Sequence, residues 1–571
     1  MTKYSEMLIF IFVFLYIVPL GVRPLASPDE TRYGEISREM LVSGDWVVPH
    51  LNGIRYFEKP VLGYWLNALA MKVFGKNAFA IRFPSAVATG LCAWLLFFWA
   101  KRHFGSRTVA FFSALVFLLC FQVMGIGVFC VLDSVFSFFV TAAMIAFFWG
   151  YTQTTQQGKR ISYSLCGIAC GLGFLTKGLL GFVLPVIIIL PFLLWERRLQ
   201  EFWRFAWIAM ITAILVVLPW SIMIYRREPD FWHYFVWTEH VSRFLTPQPG
   251  QHSFPVWFFI PILVGGALPW TFLLPLGLTR DSLKKLWPKT TALRFALCWF
   301  GMPFIFFSLS KGKLGTYILP CFAPLALLIS VVLYRYIRLG KTKGLSIIAG
   351  SVTVISLLLL AALILGQCLG SPPLYTSPEI WKAFVAGFGL ILWGVLSLTS
   401  SRVKNGHTKL LYFACAPIVF MFSGHFILPN GLIAEKMPTE FLSTLPDIPK
   451  DSILVSDNYQ ATSGSWFYGR DDVYLLGRMG EYAYGLRYDD SHHRELDVDQ
   501  FNQLLKKCRS KQSVILFTKA SRYNDYKARL PQPTLEMTNR YLVFAQFTGA
   551  RPSLDLVRSQ SNFVLGREVS P

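Results

Sequence analysis

Long apolar runs separated by short polar loops make up most of the first three quarters of this 571-residue chain. Each run has roughly the 17–25 residues that cross a bilayer, and they fall near 7–22, 84–100, 108–126, 132–151, 162–176, 179–195, 205–224, 255–277, 293–309, 317–334, 346–366, 381–398 and 410–427. We therefore predict a polytopic α-helical membrane protein with about 13 transmembrane helices. The composition agrees, since 54% of the residues are hydrophobic and only 15% are charged.

Lysine and arginine are distributed unevenly between the loops. The even-numbered short loops carry twenty of them, and the odd-numbered loops after the first carry seven. Because these residues are enriched in cytoplasmic loops, we expect the N-terminus in the cytoplasm and both the opening loop and the C-terminal region outside it. Most of the net charge of +22 then serves orientation, so we expect membrane lipids and no nucleic acid as partners.

The chain changes character in two places. The loop at 23–83 is charge-rich, and its segments 33–41 and 60–75 have helical apolar spacing but are too charged or too short to span, which predicts helices along the membrane surface. From about Met437 the composition is that of a soluble protein. We predict a membrane domain at 1–436 that includes this loop and a soluble α/β domain at 437–571.

The C-terminal domain shows four short β-rich segments and one helical segment. The segments 452–457, 472–477, 513–518 and 541–547 predict strands. The segment 497–508 predicts a helix that begins with an aspartate cap. Strands separated by a helix favour a mixed sheet, and without a nucleophile or phosphate-loop motif the domain is interpreted as a lid or a stabilising appendage.

Acidic residues in and near the first loop are the first candidates for chemistry. Asp29 directly follows the first apolar run, and Arg32 and Tyr33 follow it closely. Such a carboxylate can act as a general base, orient an acceptor or bind a cationic group, although a helix cap with salt bridges is the alternative. Asp133 lies at the outer end of the fourth run with no charged neighbour in sequence, so we expect a partner from the first loop.

A second group of candidates is basic or can ligate a metal. Glu58 and Lys59 precede a proline that restricts their directions. Glu58 with His240 gives a tentative two-ligand site for a divalent metal, against the alternative of a histidine hydrogen-bonded at an interface. Lysines at the start of the tenth run lie in a loop where the charge bias predicts few cations. Their presence there indicates a bound anion, such as a lipid phosphate. We expect residues from distant loops to surround this anion, namely Lys59, Arg243 and Lys313.

Four stretches carry a resemblance to a known family. They are SPDETRYGEISREMLVSGDWVVPHLNGIRYFEKPVLGYWLNALA at 27–70, VLD at 131–133, TEHVSRF at 238–244 and KGKLGTYILP at 311–320. Together they resemble the lipid A aminoarabinose transferases, within the protein mannosyltransferase-like group that has the membrane glycosyltransferase C fold. The resemblance covers nearly all of the membrane part, whereas the C-terminal domain matches mainly in size and position.

The resemblance implies a fold, a reaction and roles for individual residues. The reaction is transfer of 4-amino-4-deoxy-L-arabinose from an undecaprenyl phosphate carrier to a lipid A phosphate on the periplasmic face of a bacterial inner membrane, which gives resistance to polymyxin and other cationic peptides. Asp29 and Asp133 correspond to the key acids, and Lys59, Arg243 and Tyr317 to the contacts with the carrier phosphate. Gly315 stands where a proline is common, which leaves the direction of the nearby Lys313 undetermined.

Several alternatives stay open. With a phosphate acceptor Asp29 aligns the acceptor or binds the sugar ammonium group, whereas with a protein or glycan hydroxyl as acceptor it acts as a base. A lipid or solute transporter without catalysis is the other class, but it is expected to show internal repeats and broken helices, and neither is evident. We expect a monomer that needs no cofactor visible in the sequence, apart from the tentative metal.

Overall fold

The computed structural model describes residues 3–242, 254–273, 290–340, 342–508 and 512–548. Contacts in space between residues divide the chain into two compact units. The membrane unit comprises Met1–Arg23, Asp45–Val48 and Phe57–Leu432. The C-terminal unit comprises Pro24–Gly44, Pro49–Tyr56 and Ile433–Pro571. This division differs from the predicted domains, because two segments of the first loop fold with the C-terminal residues.

Helices make up most of the membrane unit and several connections of the C-terminal unit. In chain order they are α1 Lys3–Phe12, α2 Asp29–Ser43, α3 Leu62–Phe74, α4 Ala78–Phe104, α5 Arg107–Leu118, α6 Phe121–Gly127, α7 Leu132–Thr152, α8 Gln156–Lys177, α9 Leu180–Trp195, α10 Gln200–Arg227, α11 Phe259–Gly266, α12 Thr291–Leu309, α13 Phe322–Arg338, α14 Lys343–Cys368, α15 Ile380–Arg402, α16 Gly406–Cys415, α17 Ile418–Ser423, α18 Asn430–Ile433, α19 Thr439–Ser443, α20 Ala461–Tyr468, α21 Asp489–His492, α22 Val498–Cys508 and α23 Ala520–Lys527.

Eight helical segments among the described residues are long and apolar enough to cross a membrane. They are Tyr4–Gly21, Ala78–Phe104, Leu132–Thr152, Gln200–Arg227, Thr291–Leu309, Gly315–Arg338, Lys343–Cys368 and Ser377–Arg402. A ninth is formed if α5 and α6, which meet at a bend of 62°, are one broken span. The chain is therefore a multi-pass membrane protein.

The remaining predicted spans coincide with shorter or more polar helices. The runs at 162–176 and 179–195 lie in α8 and α9, and α9 has only 16 residues. The run at 410–427 is divided between α16 and α17, and 255–277 lies only in part within the described residues. The count of thirteen spans stays a prediction.

Polar residues at the ends of the spans determine where several of them begin and end. The side chain of Asn77 accepts a hydrogen bond from the amide of Ala80 at the start of α4, and Ser106 caps α5 in the same way through the amide of Val109. These side chains satisfy backbone donors that have no partner within the helix. Gly105, at a φ of +62°, ends α4 in a left-handed conformation that suits glycine.

The core of the membrane unit is rich in aromatic side chains from different helices. The rings of Trp99 and Phe148 have centroids 5.3 Å apart, and Phe148 stacks on Phe295 at 4.7 Å. All three side chains are buried. Offset and tilted aromatic pairs of this kind add to the stabilisation that comes from burial alone, so they hold α4, α7 and α12 together.

The C-terminal unit is built on a six-stranded sheet, and the mixed strand directions that the sequence predicts are confirmed. Its strands are β3 Ile453–Ser456, β4 Tyr474–Leu476, β5 Glu495–Leu496, β6 Val514–Lys519, β7 Leu535–Thr538 and β8 Leu542–Phe547, after a first-loop hairpin of β1 His50–Leu51 and β2 Ile54–Arg55. The order is β5-β4-β3-β6-β8-β7, parallel up to β6 and antiparallel beyond it. All four predicted strands are confirmed.

The predicted helix at 497–508 is confirmed as α22, and its cap is reciprocal. The carboxylate of Asp497 accepts from the amide of Gln500 at 2.7 Å, and the Gln500 side chain accepts from the amide of Asp497 at 2.8 Å. Two backbone donors at the helix start are thereby satisfied. The strands β5 and β7 were missed, because one has two residues and the other alternates half-buried with exposed positions.

Helix α2 is immersed in protein instead of lying along a membrane surface, which corrects the prediction for this segment. Every residue from Glu30 to Met40 is buried. Glu35 pairs with Arg38 at 2.7 Å, and Glu39 accepts from the backbone amide of Gly53 at 2.8 Å. Burial and the neighbouring Glu35 raise the pKa of Glu39. The charges of this helix are therefore satisfied within the C-terminal unit.

Candidate active site

Asp29 is the first residue of α2, where a carboxylate interacts favourably with the positive end of the helix dipole. Its Oδ1 lies 2.5 Å from Nη2 of Arg32, one turn along the helix. Its side chain is 48% exposed. The sequence-predicted acid therefore pairs with one cation and keeps about half of its side chain exposed.

Arg32 and Tyr33 both contribute to the surroundings of Asp29. The guanidinium of Arg32 lies 5.0 Å from the Tyr33 ring centroid and forms a second ion pair with Glu481. Burial alone would lower the pKa of Arg32, but Glu481 and the other neighbouring acidic groups raise it above its ordinary value. The guanidinium is thus a fixed positive charge within the C-terminal unit.

Glu58 and Lys59 lie in the membrane unit. Glu58 is buried, and the Nζ of Lys59 donates to the backbone oxygen of Glu58 at 2.8 Å. The same Nζ lies 3.5 Å from Oε2 of Glu239, which belongs to the helical segment His233–Ser242. The structure therefore brings Lys59 to the segment that also contains the predicted His240 and that precedes Arg243.

Asp133 and Tyr317 converge on a residue that the sequence analysis did not select. The Nζ of Lys177 lies 2.6 Å from Oδ1 of Asp133 and 4.8 Å from the centroid of the Tyr317 ring. Asp133 is in the first turn of α7 and Lys177 is the last residue of α8, so each charge suits its helix end. The expectation that the partner of Asp133 comes from the first loop was wrong.

Lys313 is directed at the protein backbone. Its Nζ donates to the carbonyl oxygen of Phe254 at 3.0 Å and to that of Ser310. The residue is buried, and burial lowers the pKa of its ammonium group. Its predicted role in binding an anion would require exchange of these carbonyl contacts for a ligand.

Two of the predicted residues cannot be placed. The side chain of His240 and the whole of Arg243 lie outside the described residues. Among the described residues no three His, Cys, Asp or Glu side chains are grouped as metal ligands. Glu58 alone does not make up the three or four ligands of a typical zinc site. The two-ligand metal site stays a prediction.

Two residues of the site, Lys177 and Glu481, were not selected from the sequence, and only Lys177 could have been recognised there. Lys177 is one of the seven cations in the odd-numbered loops, and like Lys313 it defies the charge bias, which was a sufficient reason to select it. Glu481 stands in the segment RMGEYAYG with no motif around it. Its contact with Arg32 bridges a separation of 449 residues, which a single sequence does not reveal.

Two protein-family descriptions match different parts of the chain. Residues 2–235 match the family described as dolichyl-phosphate-mannose-protein mannosyltransferase. Residues 433–546 match the family described as arabinosyl transferase ArnT, C-terminal domain.

Solved structures show the fold. The crystal structure of ArnT from Cupriavidus metallidurans bound to undecaprenyl phosphate superimposes with a TM-score of 0.78 at 22% identity, covering 97% of this chain and 99% of that one. The apo structure of the same protein gives 0.76 at 21% identity, covering 96% and 99%. The predicted glycosyltransferase C fold is thereby confirmed.

Curated relatives show the family. The chain is 38% identical over 541 residues to undecaprenyl phosphate-alpha-4-amino-4-deoxy-L-arabinose arabinosyl transferase 2 of Proteus mirabilis (strain HI4320), covering 94% of this chain and 96% of the relative. It is 40% identical over 528 residues to undecaprenyl phosphate-alpha-4-amino-4-deoxy-L-arabinose arabinosyl transferase of Shewanella sediminis (strain HAW-EB3), covering 91% of this chain and 94% of the relative. The chain belongs to the undecaprenyl phosphate-alpha-4-amino-4-deoxy-L-arabinose arabinosyl transferase family and is a membrane glycosyltransferase.

Proposed function

We propose that this protein transfers 4-amino-4-deoxy-L-arabinose from undecaprenyl phosphate to a phosphate group of lipid A. The proposal rests mainly on the position of the Lys177 ammonium group. This group lies 2.6 Å from the Asp133 carboxylate and 4.8 Å from the centroid of the Tyr317 ring. These three side chains come from the start of α7, the end of α8 and the start of the Gly315–Arg338 span. A cation held in this way at helix ends suits a charged substrate group near the membrane surface.

The proposed chemistry is displacement at the anomeric carbon of the sugar. The bond from this carbon to the carrier phosphate oxygen breaks, and a bond to an oxygen of the acceptor phosphate forms. The electron pair of the broken bond stays on undecaprenyl phosphate, which gains a negative charge. Lys59, and by the family resemblance Arg243, stabilise that charge as it develops, and Tyr317 donates a neutral hydrogen bond.

The acceptor determines what Asp29 has to do. A phosphate acceptor is already ionised near neutral pH, so it needs no strong general base. Asp29, half exposed and held by Arg32, then aligns the acceptor or binds the ammonium group of the sugar. We propose that the transfer takes place on the periplasmic side of a bacterial inner membrane and that the N-terminus of the protein lies in the cytoplasm. Modification of lipid A in this way makes the bacterium resistant to polymyxin and other cationic peptides.

A transfer assay in detergent tests this function. Detergent solution has no closed compartments, so a transporter could not move substrate between them, and any movement of label to an acceptor must come from catalysis. Purified protein is given a labelled undecaprenyl phosphate-linked aminoarabinose and lipid A. We expect label to move to lipid A and not to lipid A whose phosphates have been removed. Folded protein that moves no label under these conditions would contradict the proposal.

A hydroxyl acceptor is the second candidate function. The match of residues 2–235 to the dolichyl-phosphate-mannose-protein mannosyltransferase family is the observation that favours it. In that case Asp29 accepts the proton of the hydroxyl group as the new bond forms. Label that appears on a protein or glycan acceptor, while lipid A stays unlabelled, would select this candidate. A panel of donors in the same assay identifies the sugar.

A further inference from the structure

We infer that Glu481 of the C-terminal unit is a positioning residue for Asp29, and that it acts through Arg32. The inference rests on the proposed function, since it assigns Glu481 to the transfer reaction. It gives the C-terminal unit a part in catalysis beyond that of a lid or a stabilising appendage. All of the residues involved belong to that unit.

Arg32 joins the two carboxylates through different nitrogens. Its Nη2 donates to Oδ1 of Asp29 at 2.5 Å, and its Nη1 donates to Oε1 of Glu481. Glu481 is in turn held at its other oxygen, because the hydroxyl of Tyr56 donates to Oε2 at 3.0 Å. A chain of charge-assisted hydrogen bonds therefore runs from Tyr56 through Glu481 and Arg32 to Asp29.

Burial differs along this chain of contacts. The Arg32 side chain is only 11% exposed, whereas those of Asp29 and Glu481 are 48% and 38% exposed. The guanidinium lies over the Tyr33 ring, and its Nε is buried without a hydrogen-bond partner among the described residues. Arg32 is thus fixed mainly by the two carboxylates, both of which are partly exposed.

Asp29 depends on this arrangement for its direction. Within the described part of the chain, Arg32 is the hydrogen-bond partner of its carboxylate. Without Glu481, one end of the buried guanidinium loses its acceptor, and an unpaired buried donor is costly. We expect Arg32 to turn toward other acceptors and to release Asp29 from its position.

The substitution Glu481→Gln removes the charge of this carboxylate with little change of shape. A matched control is Asp490→Asn, because Asp490 is also a half-exposed acid of the C-terminal unit, paired at 2.7 Å with the first-loop residue Arg55. We expect E481Q to lower kcat about tenfold while the donor KM stays within about twofold, since the glutamine oxygen gives Arg32 a neutral acceptor in place of a charged one and so holds the guanidinium more weakly. We expect D490N to retain kcat and both variants to unfold at similar temperatures.

A structure of the E481Q variant gives a readout that does not require activity. We expect Nη2 of Arg32 to lie beyond hydrogen-bonding distance of Asp29 in that structure. If E481Q keeps wild-type kcat, if D490N loses as much activity as E481Q, or if the contact of Arg32 with Asp29 is unchanged, the inference is overturned. A wild-type protein that transfers no aminoarabinose would instead contradict the proposed function, and the E481Q structure would still decide the role of Glu481.

Tyr56→Phe is a second variant for the case in which E481Q does not fold. It removes one neutral donor from Glu481 and leaves the ion pairs in place. We expect a milder loss of kcat, about two- to fivefold, with an unchanged donor KM. A kcat equal to that of the wild type would contradict the chain of contacts proposed here.

Discussion

The Nζ of Lys177 lies 2.6 Å from Oδ1 of Asp133, and both side chains are nearly buried, at 11% and 12% exposed. A buried charge that loses its partner lowers the stability of the folded protein. The pair joins the end of α8 to the start of α7, two helices that pack against each other in the membrane unit. It therefore has a structural role as well as the proposed role in substrate binding.

The first prediction separates these two roles. Lys177→Met should lower thermal stability, because it leaves the Asp133 carboxylate unpaired, at a cost of about 3–5 kcal/mol. It should also reduce transfer by folded protein at least tenfold, or about 1.4 kcal/mol of barrier. Unfolding temperature and transfer per mole of folded protein are the two measurements.

Lys159→Met provides the matched control. Lys159 is also 11% exposed and pairs with Glu201, at the start of α8. We expect a similar loss of stability and no loss of specific activity. If the two variants lose activity in parallel, the pair of Asp133 and Lys177 is structural only.

The second prediction concerns Asp29. Asp29→Asn is nearly isosteric and removes only charge, and the side chain is about half exposed, so the protein should fold normally. Transfer should fall to background. Asp499→Asn, which breaks the exposed pair with Arg529, should have no effect. Turnover of Asp29→Asn within about tenfold of the wild type would show that Asp29 only stabilises the start of α2 and its pair with Arg32.

The accuracy of the sequence predictions follows the range of the interactions involved. The strands at 452–457 and 513–518 were recognised because apolar and β-branched residues recur within six positions. The contacts of Arg32 with Glu481 and of Lys177 with Asp133 depend on helix packing over long separations, 449 and 44 residues. A single sequence specifies residue types at such sites but not their partners.

The helix in the first loop was also predicted from its local pattern alone, without the partners that it has in the structure. This charged helix has the apolar spacing of a surface helix, and local pattern alone predicts one. In the structure Glu39 instead binds backbone amides of the hairpin turn at Asn52 and Gly53, two residues with positive φ. The Asn-Gly pair is a strong hairpin signal, and it was available in the sequence.

The third prediction is a pH dependence at Asp45. Burial alone would raise its pKa, but two hydrogen bonds of 2.7 Å from Arg227 and the amides of Val47 and Val48 lower it below the ordinary value of 3.8. The contribution to stability, about 1 kcal/mol for a partly exposed pair, is therefore present above the unfolded-state pKa and is lost as pH falls through the lower folded-state pKa.

Unfolding of the wild type and of Asp45→Asn, compared from about pH 5 to pH 2, measures this contribution. We expect the difference between the two proteins to be constant above about pH 4.5 and to shrink as the pH falls below the ordinary value. A difference that grows as the pH is lowered would contradict the assigned direction of the pKa shift.

The fourth prediction concerns orientation. The bias of twenty against seven Lys and Arg between the two sets of loops predicts that the region after Met437 lies outside the cytoplasm. A reporter that is active only in the cytoplasm should be silent when fused after residue 440, and active when fused in the loop near Arg102. Strong activity from the fusion after residue 440 would contradict an odd number of spans.

The last prediction is that Lys59, Arg243 and Tyr317 bind one phosphate of the polyprenyl carrier. It rests on cations outside the membrane where the charge bias disfavours them and on the family resemblance at all three positions. In the structure Lys59 contacts Glu239, four residues before Arg243, and Tyr317 lies beside the ammonium of Lys177. A charge-assisted contact with phosphate contributes about 1.5–3 kcal/mol, so Arg243→Ala should weaken carrier binding or turnover about ten- to a hundredfold.

The graded variants distinguish a phosphate contact from a structural one. Arg243→Lys should restore only part of the binding, because it keeps the charge and loses the planar fork. Tyr317→Phe removes one neutral donor and should be milder, with carrier binding measured by titration of undecaprenyl phosphate. A structure with bound carrier decides between the two outcomes: a phosphate more than one water molecule away from all three side chains would contradict a shared anion site, because neither a direct nor a water-mediated hydrogen bond could then reach it.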